Sequence, residues 1–125
     1  AYLKFTISDK IPLTFTWATR VSAADGYIND KGDLVMAYSS YAEISYLQRM
    51  RDGFSLFYAF GITPFKSCYS NYQKDFAIQN VEVRLRKDWS LHERVGLAAF
   101  GQLAVNPCAL INVITLNTGV CVYLK

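Results

Sequence analysis

No segment of this chain places apolar residues at the spacing of an amphipathic helix, and no apolar run reaches the roughly 18 residues of a transmembrane helix. Charged residues make up only 18% of the chain, against about 25% in an ordinary soluble domain. The net charge of +3 is mild, without the basic stripe or tail of a nucleic-acid-binding protein. Apolar residues reach 52% and aromatic residues 15%. These values predict one domain over residues 1–125, with an unusual amount of apolar surface and no nucleic-acid partner.

Motifs for metals and cofactors are also missing. The chain has one histidine, His92, and three cysteines without C-x-x-C spacing, so it lacks the ligands of a closed zinc site. It has no glycine-rich phosphate loop either, and we therefore expect neither a metal nor a cofactor. Cys68 and Cys108 fall in predicted loops, where a disulfide between them and a pair of free thiols are both open alternatives.

Alternation of apolar and polar residues is present along nearly the whole chain. Seven segments have the two-residue period of a β-strand, at residues 2–8, 13–22, 33–50, 54–63, 77–86, 91–105 and 110–125. In the fifth segment Val81, Val83 and Leu85 share one face, and polar or charged residues take the other. The pattern predicts an all-β fold of antiparallel strands that run up and down in chain order.

The connections between these segments alternate in length. Residues 9–12, 51–53 and 87–90 form short connections, whereas residues 23–32 and 65–75 form long ones. Turn residues such as Asp25-Gly26 and Asn29-Asp30 occupy the first long connection. Short turns at one end of the sheet and long loops at the other are therefore expected.

Charged residues within the predicted strands fall on the less apolar face, and Glu93 is the exception. Small residues accompany them there, which is typical of a narrow barrel lumen filled by paired charges. We predict that the lumen holds an ion-pair network composed of Arg20, Glu43, Glu82, Arg84, Arg86 and Arg94.

In these patterns the chain resembles the small outer-membrane β-barrels of Gram-negative bacteria, over almost all of its 125 residues. The resemblance implies a closed transmembrane barrel of about eight strands, seven of which are readable. It also implies an outer-membrane location, with short turns on the periplasmic side and the long loops outside. Membrane lipid or lipopolysaccharide would surround such a barrel, and a protein partner could contact its external loops.

Three functions are compatible with the sequence. The first is a non-enzymatic outer-membrane barrel that acts through loops 23–32 and 65–75 in adhesion, defence or contact with a partner protein. The second is a soluble, lipocalin-like barrel that binds an apolar ligand, in which the apolar face lines the cavity and the charges meet water. The third is an outer-membrane lipid-modifying enzyme.

Candidate catalytic residues are sparse. Ser90 and His92 share a face of their segment, but no third member of a catalytic triad is identifiable. Glu43 and Glu82 would form the acid/base pair of a glycosidase only if they faced each other, and arginines are their simpler partners. We therefore assign no catalytic residue and do not expect an enzyme.

Overall fold

The structure, a computed structural model, describes residues 1–22, 24–72, 74–109 and 113–125. Within these ranges the chain consists of β-strands, turns and two short 3-10 turns, Arg51–Gly53 and Cys68–Ser70. The strands are β1 (Tyr2–Thr6), β2 (Leu13–Thr19), β3 (Gly26–Ile28), β4 (Leu34–Met36), β5 (Ser40–Arg49), β6 (Phe54–Thr63), β7 (Ala77–His92), β8 (Val95–Val105) and β9 (Ile114–Leu124).

Seven of these strands form one sheet in the order β1-β2-β5-β6-β7-β8-β9, and every neighbouring pair is antiparallel. Strands β3 and β4 form a separate hairpin between β2 and β5. Sequence neighbours are thus spatial neighbours throughout the large sheet. The predicted all-β, antiparallel, up-and-down arrangement is confirmed.

The large sheet has two edges. Among the described residues β1 pairs only with β2, and β9 pairs only with β8. Six antiparallel steps separate β1 from β9, so these two edge strands run in the same direction. The predicted closure into a barrel is therefore not observed in the described ranges. No helix in those ranges is long and apolar enough to cross a bilayer.

The predicted strand at 33–50 is wrong in one respect, because the structure divides it into β4 and β5. Tyr38 interrupts the segment with a φ of +48°, a left-handed conformation that an extended strand cannot contain. Strand β4 folds back onto β3, with Gly26 opposite Met36, so the predicted loop at 23–32 contains a strand. Residues 23, 73 and 110–112, including the predicted start of the last strand at Leu110, lie outside the described residues.

The predicted turn at 87–90 is also wrong. Strand β7 continues to His92, and the connection to β8 is the two-residue turn Glu93-Arg94. The polar composition of this stretch resembles a turn, but its alternation is unbroken. Trp89 pairs with Leu97, and Asp88 pairs with Ala98. The longer strand adds a carboxylate to the charged face of the sheet.

The register divides the side chains of the sheet between two faces. The inner face carries most of the charged and small residues, together with the rings of Phe57 and Phe100, and the outer face carries most of the large apolar residues. Inner-face residues include Glu43, Ser45, Ala59, Gly61, Glu82, Arg84, Arg86, Asp88 and Ala98. Outer-face residues include Ile44, Tyr46, Tyr58, Phe60, Val81, Val83, Leu85, Trp89 and Leu103.

The inner face is the buried one, although an ordinary soluble sheet buries its large apolar side chains. On the inner face Ala98 is 0% exposed and Ala59 is 5% exposed. On the outer face Ile44 is 51% exposed, and Leu103 is 48% exposed. Small residues therefore form the buried side, while large apolar side chains lie at the surface.

Candidate functional site: the inner face and the loop end

Two ion pairs lie in one row along β7, because alternate residues of a strand share a face. The Arg84 guanidinium donates to the Glu82 carboxylate at 2.6 Å (Nη2 to Oε1). Arg86 donates two hydrogen bonds to Asp88, at 2.9 Å from Nε and 2.8 Å from Nη2. The arginine side chains are 42% and 41% exposed, so each pair contributes no more than about 1 kcal/mol in water.

Tyrosine rings lie across glycines on the same face. The ring of Tyr41 covers Gly61, and a Cβ atom at Gly61 would overlap the tyrosine hydroxyl. Tyr123 covers Gly96 in the same way. The Tyr41 hydroxyl donates to Glu43 at 2.5 Å. The Tyr123 ring reaches over β8, because its hydroxyl donates to Asp88 of β7.

The structure brings together only part of the predicted network. Glu82, Arg84 and Arg86 lie in one row, with Arg84 bonded to Glu82. The partner of Arg86 is Asp88, which also accepts from the Tyr123 hydroxyl at 3.0 Å. Sequence reasoning missed Asp88 because it assigned residues 87–90 to a turn. The signal that could have found it is the alternation that continues through Trp89.

The other predicted members lie elsewhere. Glu43 is on the inner face, but its hydrogen-bond partner is Tyr41. Arg20 follows β2 and is exposed, with its Nη1 3.9 Å from the sulfur of Cys68. Arg94 is exposed in the turn between β7 and β8. Within the described ranges none of these three residues makes an ion pair.

At the opposite end of the sheet from the short turns, a buried carboxylate joins the two long loops. Asp25 is 0% exposed and accepts hydrogen bonds from the Ser39 amide and hydroxyl, both at 2.6 Å, and from the Tyr72 hydroxyl at 2.9 Å. The Ser39 hydroxyl in turn accepts from the Cys68 amide at 2.8 Å. We call Asp25, Ser39, Cys68 and Tyr72 the loop clasp. The sequence contained no signal for it, since Asp25-Gly26 is ordinary turn composition.

The electrostatics of the loop clasp favour an ionised carboxylate. Burial opposes ionisation of Asp25, but the hydrogen bonds from Ser39 and Tyr72, together with the charge of Arg20, hold the pKa of Asp25 below its usual value. Burial and the bond to Asp25 raise the pKa of the Tyr72 hydroxyl. The clasp therefore consists of a charged acceptor and neutral donors at neutral pH.

A small cavity lies beside the loop clasp, where the inner face meets the loops. Its volume is about 240 Å³. The ring centroids of Tyr41 and Tyr69 are 6.3 Å apart, with an angle of 61° between their planes. The residues that line the cavity are Tyr41, Tyr69, Gln79, Asn80 and Asn106. Uncharged polar groups and two aromatic rings therefore converge at this point.

The residues considered for catalysis do not form a catalytic arrangement. The Ser90 hydroxyl contacts the main-chain oxygen of His92 at 3.4 Å and the ammonium group of Lys125, but not the imidazole. Glu43 and Glu82 have separate partners. Within the described residues no group of three His, Cys, Asp or Glu side chains is placed to hold a metal ion.

The three cysteines are free thiols, which is the alternative to the Cys68–Cys108 disulfide considered from the sequence. Cys68 and Cys108 are half-buried, and Cys121 is exposed on β9. The thiol of Cys108 donates to the carbonyl oxygen of Ile78 at 3.4 Å. Both half-buried cysteines belong to the loop end of the molecule.

Comparisons with protein-family models, curated proteins and solved structures find no match to this chain. Evidence about function therefore comes from the geometry of the sheet and loops and from the pattern of the sequence.

Proposed function

We propose that this chain supplies seven strands of a small transmembrane β-barrel of about eight strands in the outer membrane of a Gram-negative bacterium, without an enzymatic centre. The barrel is embedded in membrane lipid or lipopolysaccharide. It acts through its loop end in adhesion, defence or contact with a partner protein. The observation that carries this proposal is the exposure of the outer face, in which large apolar side chains cover a surface that a soluble sheet would make polar.

The outer face is continuous across neighbouring strands. Ile44, Phe60 and Val81 form one cross-strand row, with exposures of 51%, 45% and 39%. Tyr58 and Val83 belong to the next row and are 40% and 39% exposed. A soluble monomer rarely exposes a contiguous apolar patch larger than about 300–600 Å². Hydrocarbon is the solvent that stabilises a surface of this composition, because it removes the apolar side chains from water.

The inner face suits a narrow lumen. The interior of an eight-stranded barrel is just wide enough for its own side chains. Here two tyrosines lie flat over Gly61 and Gly96, and paired charges fill the row beside them. Such a lumen is plugged by side chains, so the barrel conducts ions poorly.

Closure of the barrel with antiparallel pairs alone requires a further strand. In hydrocarbon, each unpaired backbone N–H or C=O group of an open edge costs several kcal/mol. Because β1 and β9 run in the same direction, an odd number of added strands is needed to close the sheet with antiparallel pairs alone. One such strand gives the predicted total of eight. A second copy of the chain cannot supply this strand. Because β1 and β9 run in the same direction, antiparallel pairing between the edge strands of two copies would place their loops on opposite sides of the membrane.

The soluble carrier is the weaker alternative, because a carrier would turn the large apolar residues inward around a ligand. In this sheet the buried positions are small, as at Ala59 and Ala98, and the rings of Tyr58 and Phe60 point away from them. The enzyme hypothesis has no arrangement of Ser90 and His92 to support it.

Solubility in plain buffer tests the membrane proposal. We expect the purified protein to aggregate without detergent, and to become monodisperse and β-rich in micelles or lipid vesicles. Light scattering and circular dichroism measure both properties. A monodisperse, folded protein in plain buffer would contradict the proposal.

Planar-bilayer conductance tests the plugged lumen. We expect no large, steady channel currents from the wild-type protein, because ion pairs and tyrosines occupy the inner face. A large open-channel current from correctly inserted protein would contradict a plugged lumen, while leaving the membrane location intact.

A further inference from the structure

We infer that the cavity lined by Tyr41, Tyr69, Gln79, Asn80 and Asn106 is a binding site for a neutral sugar ring. This inference deepens the proposed function, because it depends on the loop end being the working end of the barrel. It assigns a ligand class to that end.

The position of the cavity favours a binding site over a packing defect. Four separate parts of the chain supply its walls: Tyr41 from β5, Tyr69 from the turn Cys68–Ser70, Gln79 and Asn80 from β7, and Asn106 from the connection after β8. The fold thus brings polar groups that are distant in sequence to one concave surface. Convergence of a few polar groups in a small concavity is the usual form of a ligand site.

The chemistry of the lining disfavours anionic and apolar ligands. None of the five residues is ionised at neutral pH, so a phosphate or carboxylate group would find no cation among them. An acyl chain in the cavity would displace water from the amides of Gln79, Asn80 and Asn106. Because the chain offers no hydrogen bonds in place of those with water, its binding would be unfavourable. The ligand must therefore offer many uncharged hydrogen-bonding groups.

A sugar ring meets this requirement. Each amide side chain carries a donor and an acceptor side by side, which matches pairs of neighbouring hydroxyl groups. Gln79 is 5% exposed and contacts the Thr63 hydroxyl at 3.5 Å through its Nε2, a contact that orients its amide. Asn106 accepts from the Cys108 amide through its Oδ1 at 3.0 Å, which likewise orients its Nδ2 donors.

The aromatic rings supply the second element of sugar recognition. The C–H groups on one side of a pyranose form an apolar surface that packs against the face of an aromatic ring. Tyr69 is 46% exposed and meets Tyr41 edge to face, so a ring that enters the cavity can pack against it. The volume of about 240 Å³ lies below the roughly 300–1,000 Å³ of sites for drug-sized ligands, and this limits the occupant to about one sugar ring.

Saturation-transfer NMR on the detergent-solubilised protein tests the inference. The probes are glucose, galactose and N-acetylglucosamine, with glucuronate and glucose 6-phosphate as charged comparators. We expect transfer to at least one neutral sugar and weaker transfer to its charged counterpart. No transfer to any neutral sugar, or stronger transfer to the charged ones, would overturn the inference.

Variants then locate the binding. We expect Tyr69→Ala to weaken neutral-sugar binding by about tenfold, because the stacking surface is lost. Tyr38→Ala is the matched control, since Tyr38 is a tyrosine of the same loop end that is 55% exposed and does not line the cavity. Asn80→Ala provides a second variant, and circular dichroism of each protein confirms that it folds. Equal binding by the Tyr69 and Asn80 variants and the wild type would overturn the site.

Two oligosaccharide probes distinguish the sources of such a sugar. A neutral hexose oligosaccharide from the outer core of lipopolysaccharide represents the membrane's own glycans, and a neutral soluble oligosaccharide such as lactose represents external ones. Binding of either supports the site and identifies its source. Sugar binding by a protein that is monodisperse in plain buffer would overturn the membrane proposal alone, whereas an inserted protein that binds no sugar would overturn this inference alone.

Discussion

The inner and outer faces of the sheet differ in which side chains they bury. Ala59 and Ala98 on the inner face are almost inaccessible, whereas Ile44 and Leu103 on the outer face are about half exposed. In water, hydrophobic burial would select the opposite arrangement. The difference teaches that this fold is not organised around an apolar core. Packing of small and polar groups holds the inner face together, and the large apolar side chains of the outer face lie at the surface.

The largest expected effect comes from placing a charge on the outer face. Val83 lies between Tyr58 and Leu103 on neighbouring strands. We expect Val83→Arg to lower the free energy of unfolding in lipid vesicles by about 2–4 kcal/mol, because in the proposed barrel the guanidinium enters hydrocarbon. Urea unfolding followed by tryptophan fluorescence measures this change.

Gln48→Arg is the control for this comparison. Gln48 shares the outer face but lies near the short turns, opposite Leu56. In the proposed barrel a charge at this level meets the membrane interface. We expect its cost to be about 0–1 kcal/mol. Equal and small effects of both substitutions would indicate that water contacts the whole outer face.

The next effect concerns close packing on the inner face. A Cβ atom at Gly61 would overlap the Tyr41 ring, so we expect Gly61→Ala to destabilise the protein by about 1–3 kcal/mol. Gly101→Ala is the matched control, since Gly101 lies on the outer face with no atom within 4 Å of its added methyl group. Unfolding free energies measure both. Equal effects would mean that the inner face is not packed more tightly than the outer face.

A smaller effect is expected from the ion pairs. Glu82→Gln leaves Arg84 without its carboxylate, and because Arg84 is 42% exposed the cost should be about 1 kcal/mol. A double-mutant cycle with Arg84→Gln should give a coupling energy of about 0.5–1 kcal/mol. Glu93→Gln, an exposed change in the turn, serves as the control. The absence of coupling would show that the pair does not stabilise the inner face.

The smallest effect on global stability is expected at the loop clasp. The pKa of Asp25 is lowered in the folded protein, so its ionised carboxylate stabilises the fold at pH values above the ordinary carboxyl pKa of about 3.9. This stabilisation is lost as the pH falls through the lowered pKa. We expect the Ser39 amide NMR signal to titrate in this acidic range while the sheet stays folded. Asp25→Asn should abolish the titration, and Asp30→Asn, an exposed loop change, should preserve it. A Ser39 signal that titrates unchanged in Asp25→Asn would contradict the role of Asp25.

The predictability of each part of the fold depends on how local its signal is. Strands such as β6 and β8 could be predicted because alternation within one strand directly records its two faces. The continuation of β7 through Asp88 was also recorded by alternation, but its turn-like composition led to the wrong assignment. The break at Tyr38 could not be predicted, because no local pattern there reveals the backbone conformation. The partners of Glu43 and Arg20 depend on which strands and loops lie side by side, and no local pattern records that.

The amino-acid sequence by itself determined the strand type, the antiparallel order and the assignment of apolar and charged residues to opposite faces, because each follows from a period of two residues and short connections. Only the tertiary structure decided that Asp25 binds Ser39 and Tyr72, that Asp88 joins Arg86, and that five uncharged residues meet in one cavity. Apart from the pair Arg86–Asp88, which lies within β7, these contacts join residues from different strands and loops. Such contacts depend on the register and on the path of the loops, which are properties of the folded chain as a whole.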